Sequence, residues 1–140
     1  MTRLNHIGIA VDQLPALKKF FSILGLEIKH TEAVPEQGVV THFVPLPQSP
    51  NEPTQLEFLE PTDPTGTVAQ FLKKRGPGIH HLSFEVTQGS LDALCQTLRD
   101  SGFRLIYDQC RAGAHLMRIN FVHPASAGGI LIELMEKQSK

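Results

Sequence analysis

The residues from His6 to Asp12 alternate between apolar side chains and small or polar ones. Successive residues of a β-strand project to opposite faces, so this period of two predicts a strand with one buried face. The isoleucine and valine side chains share one face, and His6, Gly8 and Ala10 share the other. The first segment therefore presents a histidine on a face that otherwise carries only small residues.

The segment from His81 to Thr87 repeats this arrangement. Its leucine, phenylalanine and valine point one way, while His81, Ser83 and Glu85 point the other. A second strand with a histidine at its start is therefore predicted about half a chain later. Repetition of this kind indicates a fold built from two related units.

A helix-like stretch follows each of these strands. The first runs from Leu14 to Leu24 and the second from Ser90 to Ser101, and a glycine follows each. In the second stretch the apolar residues recur at helical spacing, which places Cys95 on the core face, and Ser90 is a candidate N-cap. Glycine is a common helix stop, so Gly102 marks the predicted end.

Three more strand-like runs follow each predicted helix. Turn residues separate many of them. The six runs are 27–30, 39–44 and 55–60 in the first half, and 104–107, 118–122 and 130–135 in the second. Both halves therefore have the order strand, helix, strand, strand, strand.

The spacing of matched residues supports a duplication. His6 and His81 are 75 positions apart, and Glu57 and Glu133 are 76 apart. We predict one domain of the α+β class, with two tandem βαβββ modules at about 3–60 and 78–136. The segment 61–77 is then a linker with a short helix near Val68–Lys74.

Composition narrows the class of protein. The chain has 140 residues, 41% of them hydrophobic and 19% charged, which suits one globular domain. A net charge of −1 gives no electrostatic case for nucleic acid or an anionic membrane. We find no apolar run of membrane-spanning length and no signal peptide. Cys95 and Cys110 lack metal-binding spacing, so we expect reduced thiols in a cytoplasmic protein.

The repeat brings four scattered residues into one pattern. Each half begins with a histidine on its first strand and ends with a glutamate on its last, which gives His6 with Glu57 and His81 with Glu133. If the halves pack about a pseudo-two-fold axis, the four side chains converge. Two imidazoles and two carboxylates suit Zn, Co, Ni, Mn or Fe(II) with open coordination positions, as in a catalytic site.

The surroundings of the two glutamates favour this prediction. Glu57 and Glu133 each lie among apolar neighbours, where a charge is costly to bury unless it is paired or metal-bound. The alternative is that both face solvent, because antiparallel strands often have a polar outer face. A single strand histidine such as His6 is likewise more often structural than a ligand.

These residues resemble the vicinal oxygen chelate superfamily, also called the glyoxalase/bleomycin-resistance family, and within it the methylmalonyl-CoA epimerases. The resemblance covers nearly the whole chain, and the doubled histidine and the final Gly-Gly-Ile-Leu-Ile-Glu-Leu are its most specific parts. The matching stretches are 6–11, 35–39, 59–61, 76–81, 123–124 and 128–134.

The resemblance implies two βαβββ modules that form one curved mixed sheet around a central metal ion. It assigns His6, His81 and Glu133 as metal ligands, with Glu57 as the fourth. The cofactor it implies is one divalent ion, with Co, Zn, Ni and Mn as candidates. Position 57 is glutamine in some epimerases but glutamate in glyoxalase I. The implied enzyme is an isomerase that acts on an acyl-CoA and forms a homodimer.

One departure from the epimerase pattern bears on the mechanism. Some epimerases have a second catalytic glutamate at the position of Thr41, and a threonine hydroxyl is not a general base near neutral pH. We therefore expect Glu57 and Glu133 to be the catalytic acid and base. They would move a proton between the faces of a carbon next to a carbonyl, with a metal stabilising the enolate.

Three other functions remain open at this point. A lactoylglutathione lyase (glyoxalase I) uses the same ligand set, and Glu57 favours it. A ring-cleaving dioxygenase uses two histidines and one glutamate, so Glu57 argues against it. A metal-free ligand-binding protein of the same fold often lacks the ligand residues.

The basic run 73–75 and Arg104, Arg111 and Arg118 are candidate partners for the phosphates of coenzyme A. Charged residues are more often simply exposed to solvent, which is the alternative for each of them. We expect the other five histidines to be structural or surface residues.

Overall fold

The computed structural model describes residues 1–47, 51 and 53–139 of the chain. Within those residues, eight strands form a mixed sheet and three α-helices accompany it, which confirms the α+β class. Three short 3-10 helices lie at Pro35–Gln37, Ala114–Leu116 and Pro124–Ser126. The elements are β1 Thr2–Ala10, α1 Leu14–Ile23, β2 His30–Val34, β3 Val39–Pro45, β4 Gln55–Pro61, α2 Thr67–Arg75, β5 Gly78–Val86, α3 Leu91–Asp100, β6 Arg111–Ala112, β7 Met117–Val122 and β8 Ile132–Lys137.

The chain divides into two compact units. The first unit is His6–His80, and the second unit is Met1–Asn5 together with His81–Lys140. The N-terminal five residues therefore belong with the second half of the sequence, where the backbone N–H of Thr87 donates to the carbonyl of Met1. The module boundaries expected from the sequence stay a prediction.

In the first unit the strand order is β2-β3-β4-β1. β2 with β3 and β3 with β4 are antiparallel, and β4 with β1 is parallel. The apolar face predicted for β1 packs with β3 and β4 under helix α1, whose Phe21 ring lies 5.3 Å from that of Phe58. The buried residues of this core are Val11, Val44, Leu56 and Phe58.

In the second unit the order is β1-β5-β8-β7-β6. β5 and β8 are parallel, and β8, β7 and β6 are successively antiparallel. Helix α3 covers a core of Leu91, Cys95, Val122 and Leu134. The Ser90 hydroxyl accepts a hydrogen bond from the Ala93 N–H, so the predicted N-cap and the predicted core position of Cys95 are both confirmed.

Two strand predictions are wrong. The 27–30 run is not a strand; Leu26 and Ile28 pack against the first core, and β2 begins only at His30. Burial beneath α1, rather than strand pairing, therefore produces its apolar alternation. The 104–107 run forms a single bridge from Leu105 to Val122. There the side chain of Asn120 bonds both backbone groups of Tyr107 and replaces a strand ladder.

Candidate metal centre

The first unit brings one predicted histidine and one predicted glutamate into contact. In the parallel pairing of β1 and β4, Gly8 lies opposite Glu57. His6 is two residues before Gly8, so its side chain lies on the face that carries Glu57. The distance from His6 Nδ1 to Glu57 Oε2 is 2.7 Å, and the two side chains are 10% and 13% exposed.

The second unit has the equivalent pairing. β5 and β8 are also parallel, with Ser83 opposite Glu133. A ring nitrogen of His81 and a carboxylate oxygen of Glu133 lie within 4.8 Å of each other, and both residues are buried. The Ser83 hydroxyl, which has no exposed surface, donates a 2.7 Å hydrogen bond to Glu133 Oε1.

Each unit thus supplies one imidazole nitrogen and one carboxylate oxygen from adjacent parallel strands. Glu57 and Glu133 are both withdrawn from water, so neither is the solvent-facing residue that the alternative interpretation required. A buried carboxylate is stable only when it is hydrogen-bonded, paired with a cation or bound to a metal. Nitrogen and oxygen donors without a thiolate suit a first-row divalent ion, so these residues fit such a group.

Thr41 lies on the same face of the first unit as Glu57. It pairs directly with Leu59, two residues after Glu57 on β4, and is 3% exposed. The edge strand β2 places Glu32 opposite Thr41, with Glu32 Oε2 at 3.7 Å from His30 Nε2. A carboxylate therefore lies across the strand from the position where some epimerases have their second catalytic glutamate.

Another buried carboxylate, Glu85, is occupied by partners on its own unit. It is 5% exposed and forms an ion pair with Arg3 and a 3.0 Å hydrogen bond with Asn5 Nδ2. Lys137 Nζ lies 3.7 Å away. Glu85 shares a strand face with His81, but its carboxylate is already held by these cationic and amide partners.

Two other histidines have structural surroundings, as expected. His42 is buried and its ring nitrogens lie 3.0 Å from Thr31 Oγ1 and 3.2 Å from Glu60 Oε1. The His80 ring packs edge-on against Phe71 at 5.1 Å, and burial lowers the pKa of its imidazole.

The candidate phosphate-binding residues are surface groups. Lys73, Lys74 and Arg75 are exposed at the end of α2. Arg118 is held by Asp92 at 2.7 Å and by Glu136 at 3.3 Å. These ion pairs hold the Arg118 guanidinium within the second unit.

The sequence interpretation assigned no role to Ser83, which the structure places in contact with Glu133. Its place was correctly identified, because it shares a face with His81. Its hydrogen bond to Glu133 depends on the register of β5 with β8, which the sequence pattern does not specify. To predict that register, the pairing of β5 with β8 would have had to be recognised as equivalent to the pairing of β1 with β4.

Comparison with known proteins identifies the family. A model of the Glyoxalase/Bleomycin resistance protein/Dioxygenase superfamily matches residues 5–121. The chain is 34% identical over 134 residues to the mitochondrial methylmalonyl-CoA epimerase of Bos taurus, covering 94% of this chain and 73% of the relative. Among the described residues, no helix is both long and apolar enough to cross a membrane.

Two solved structures have a similar fold. The methylmalonyl-CoA epimerase of Mycobacterium tuberculosis has a TM-score of 0.83 and 40% identity, with 97% of this chain and 88% of that chain covered. A variant of the Streptomyces coelicolor epimerase in complex with 2-nitronate-propionyl-CoA has a TM-score of 0.85 and 36% identity, with 99% of both chains covered.

Proposed function

The chain belongs to the glyoxalase/bleomycin resistance protein/dioxygenase superfamily, and we propose that within it this protein is a metal-dependent epimerase of methylmalonyl-CoA. It would interconvert the (R) and (S) forms of that thioester. The observation that carries the proposal is the matched pair of glutamates. Glu57 and Glu133 occupy equivalent positions in two parallel strand pairs, each near a buried histidine. The epimerases among the similar proteins support the choice of substrate.

We assign His6, Glu57, His81 and Glu133 as the ligands of one divalent ion, with Co, Zn, Ni and Mn as candidates. The support is the donor chemistry of each pair, their burial, and the family to which the chain belongs. The distance of 2.7 Å between His6 Nδ1 and Glu57 Oε2 is compatible with two roles for the carboxylate. The two atoms could be neighbouring ligands of the ion. Alternatively, the carboxylate could accept a hydrogen bond from Nδ1 and so orient the imidazole, whose Nε2 would then bind the ion.

Epimerisation needs a proton taken from one face of the carbon between the thioester and the carboxylate, and a proton returned to the other. A bound divalent ion supplies Lewis-acid stabilisation of the negative charge that develops on the substrate oxygens. Glu57 and Glu133 exchange the proton at their carboxylate oxygens, one on each face.

Glu57 takes the role that a glutamate at position 41 has in other epimerases. Thr41 has a buried hydroxyl, whose pKa is far too high for it to remove a carbon-bound proton. Glu57 lies on the same face, two residues before Leu59, which pairs directly with Thr41. Phe43 lies directly opposite Glu57 and gives it an apolar neighbour.

A proton-exchange assay tests the proposal. Metal-loaded protein in deuterated water receives methylmalonyl-CoA of one configuration, and NMR follows deuterium at the α-carbon while chiral analysis follows the epimer ratio. We expect deuterium incorporation together with loss of the epimeric excess. No exchange at the α-carbon with each of the four candidate metals would overturn the proposal.

Lactoylglutathione lyase is the second candidate, favoured by the carboxylate at position 57. The same protein preparation given the glutathione–methylglyoxal hemithioacetal distinguishes the two activities, because only a lyase forms the lactoyl thioester. Metal analysis of the purified protein addresses the metal-free alternative, which predicts no bound divalent ion. Homodimer formation and a cytoplasmic location stay predictions, to be measured by analytical ultracentrifugation and by cell fractionation.

A further inference from the structure

The two cysteines of the chain lie side by side in the second unit. The distance between Cys95 Sγ and Cys110 Sγ is 3.7 Å, and both are free thiols. Cys95 is on helix α3 with 1% of its surface exposed, while Cys110 is half-buried and directly precedes β6. Residues 15 positions apart in sequence thus bring two sulfurs into contact outside the candidate metal centre.

Side chains from α3 and β7 hold the segment that carries Cys110. Arg99 of α3 donates to the carbonyls of Tyr107 at 3.0 Å and of Asp108 at 2.6 Å. Asn120 of β7 bonds the N–H and the carbonyl of Tyr107, and its amide nitrogen lies 3.8 and 3.9 Å from the two sulfurs. The proximity of the thiols therefore results from a specific polar network and not from an unanchored loop.

Small polar reagents have access to this pair. A cavity of about 400 Å³ is lined by both cysteines and by Asp92, Gln96, Arg99 and Gln109. Its lining is polar, and Arg118 also contributes to it. The thiolate form of a cysteine is the reactive nucleophile.

We propose that Cys95 and Cys110 form a redox-modification site, which hydrogen peroxide converts to an intramolecular disulfide. In the first step the Cys110 thiolate attacks one peroxide oxygen and the O–O bond breaks. Hydroxide departs, and Cys110 becomes a sulfenic acid. In the second step the Cys95 sulfur attacks the Cys110 sulfur and displaces that oxygen. The Cys95 proton leaves with it, so two thiols and one peroxide give one disulfide and two waters.

The two sulfurs have different roles because their surroundings differ. Burial and the neighbouring Cys110 thiol raise the pKa of Cys95 to about 12, so Cys95 stays protonated near neutral pH. Cys110 is the more exposed sulfur and is therefore the one that meets peroxide first. Cys95 then acts as the resolving thiol from the core side.

Disulfide formation needs only a local movement. A disulfide bond is about 2.0 Å long, so the sulfurs must approach by roughly 1.7 Å from their present separation. Cys110 lies outside regular structure and can supply that movement, while Cys95 stays in α3. The bond would tie α3 to the start of β6 and restrict the unfolded chain, which raises the melting temperature.

The test treats the whole protein with hydrogen peroxide and follows intact mass and maleimide-reactive thiols under denaturing conditions. We expect the mass to fall by two hydrogen atoms, both thiols to become unreactive, and dithiothreitol to reverse the change. Tandem mass spectrometry of the wild-type digest should then find the Cys95–Cys110 linkage. The melting temperature should rise by several degrees, as expected for a loop of this length.

Three variants separate the steps. Cys110→Ser should show no two-hydrogen loss, and Cys95→Ser should accumulate a sulfenic acid on Cys110 that dimedone traps. Arg99→Gln removes the anchor of the Cys110 segment and should slow disulfide formation several-fold. The control Thr97→Ala, on the same helix but outside the cavity lining, should not. Intermolecular disulfides alone, or irreversible oxidation of Cys110 in wild-type protein while Cys95 stays reactive, would overturn the proposal.

Discussion

The strand pairs β1/β4 and β5/β8 are both parallel and place equivalent residues opposite their glutamates. They support those glutamates differently. Ser83 lies opposite Glu133 and donates a hydrogen bond to it, whereas Gly8 lies opposite Glu57 and has no side chain to donate. The Glu57 carboxylate instead contacts the His6 ring. A repeat that conserves register can therefore give equivalent residues different partners: a serine hydroxyl for Glu133 and a histidine ring for Glu57.

The largest effect should follow from Glu133→Gln. The variant loses the carboxylate that we propose both binds the metal and exchanges a proton, and it keeps the shape of the side chain. We expect α-carbon exchange with methylmalonyl-CoA to fall by about 10³- to 10⁴-fold, the upper part of the range for an acid–base residue. The NMR exchange assay measures this fall, and circular dichroism checks that the fold survives.

Glu60→Gln is the matched control for that substitution. Glu60 is on β4 three residues after Glu57 and bonds His42, so it differs in contacts but not in residue type. Its side chain is 44% exposed. Exchange within a few-fold of wild type is expected. Wild-type exchange in Glu133→Gln would remove Glu133 from the mechanism.

Glu57→Gln should reduce exchange by about 10²-fold, less than the Glu133 variant, because the amide keeps an oxygen for the proposed metal ion but cannot take a proton. The added substitution Thr41→Glu sharpens the test. It restores the carboxylate position of the epimerases that have glutamine at 57, on the same strand face. We expect the double variant to recover part of the lost exchange in the same assay.

Two results would contradict the assignment of Glu57. Full activity in Glu57→Gln would mean that another group removes the proton, and Glu32, opposite Thr41, would then be the residue to substitute. No recovery in the double variant, with the fold intact, would mean that Thr41 is not equivalent to the missing glutamate. Thermal melting of both variants provides the check on folding.

The sequence predicted the repeat, the helices and the faces of the central strands, because apolar periodicity is a local property. Helix α3 with its Ser90 cap follows from spacing and capping, and α2 forms where the short linker helix was predicted. The two mispredicted strands, 27–30 and 104–107, show the limit of that signal. Burial under α1 replaces strand pairing in the 27–30 run, and hydrogen bonds from the Asn120 side chain replace it in the 104–107 run. Both are tertiary effects.

The candidate site was predictable in residue type but not in its contacts. His6 and Glu57 are 51 residues apart, and only the parallel register of β1 with β4 makes them neighbours. The Ser83 hydrogen bond and the pairing of Glu85 with Arg3 depend on side-chain conformations. Neither leaves a periodic trace in the sequence, so neither could be predicted from it.

Ser83→Ala tests the support of Glu133 directly. Removing the hydroxyl removes the Ser83 hydrogen bond to Glu133. If Glu133 binds the metal as proposed, loss of a group that orients a ligand weakens metal affinity by about 10- to 100-fold. Competition with a fluorescent chelator measures this without substrate. Ser90→Ala is the control, since it destabilises α3 by about 1 kcal/mol through loss of its cap but should leave the metal Kd unchanged. An unchanged Kd in Ser83→Ala would make the two halves equivalent in support.

The smallest effect concerns an ion pair on the second unit, in which Arg118 of β7 binds Asp92 of α3. Hydrogen bonds from Arg118 lower the pKa of the Asp92 carboxyl. A lowered pKa in the folded state means that the ionised pair adds stability above the ordinary aspartate pKa. This added stability is lost as the pH falls through the folded-state pKa.

Because Asp92 is exposed, screening by water limits that contribution to less than about 1 kcal/mol. Asp92→Asn should therefore lower the urea midpoint slightly at pH 7 and not at all near pH 2, and 1 M salt should shrink the difference. A difference that persists at low pH would mean that Asp92 acts through helix packing and not through its charge.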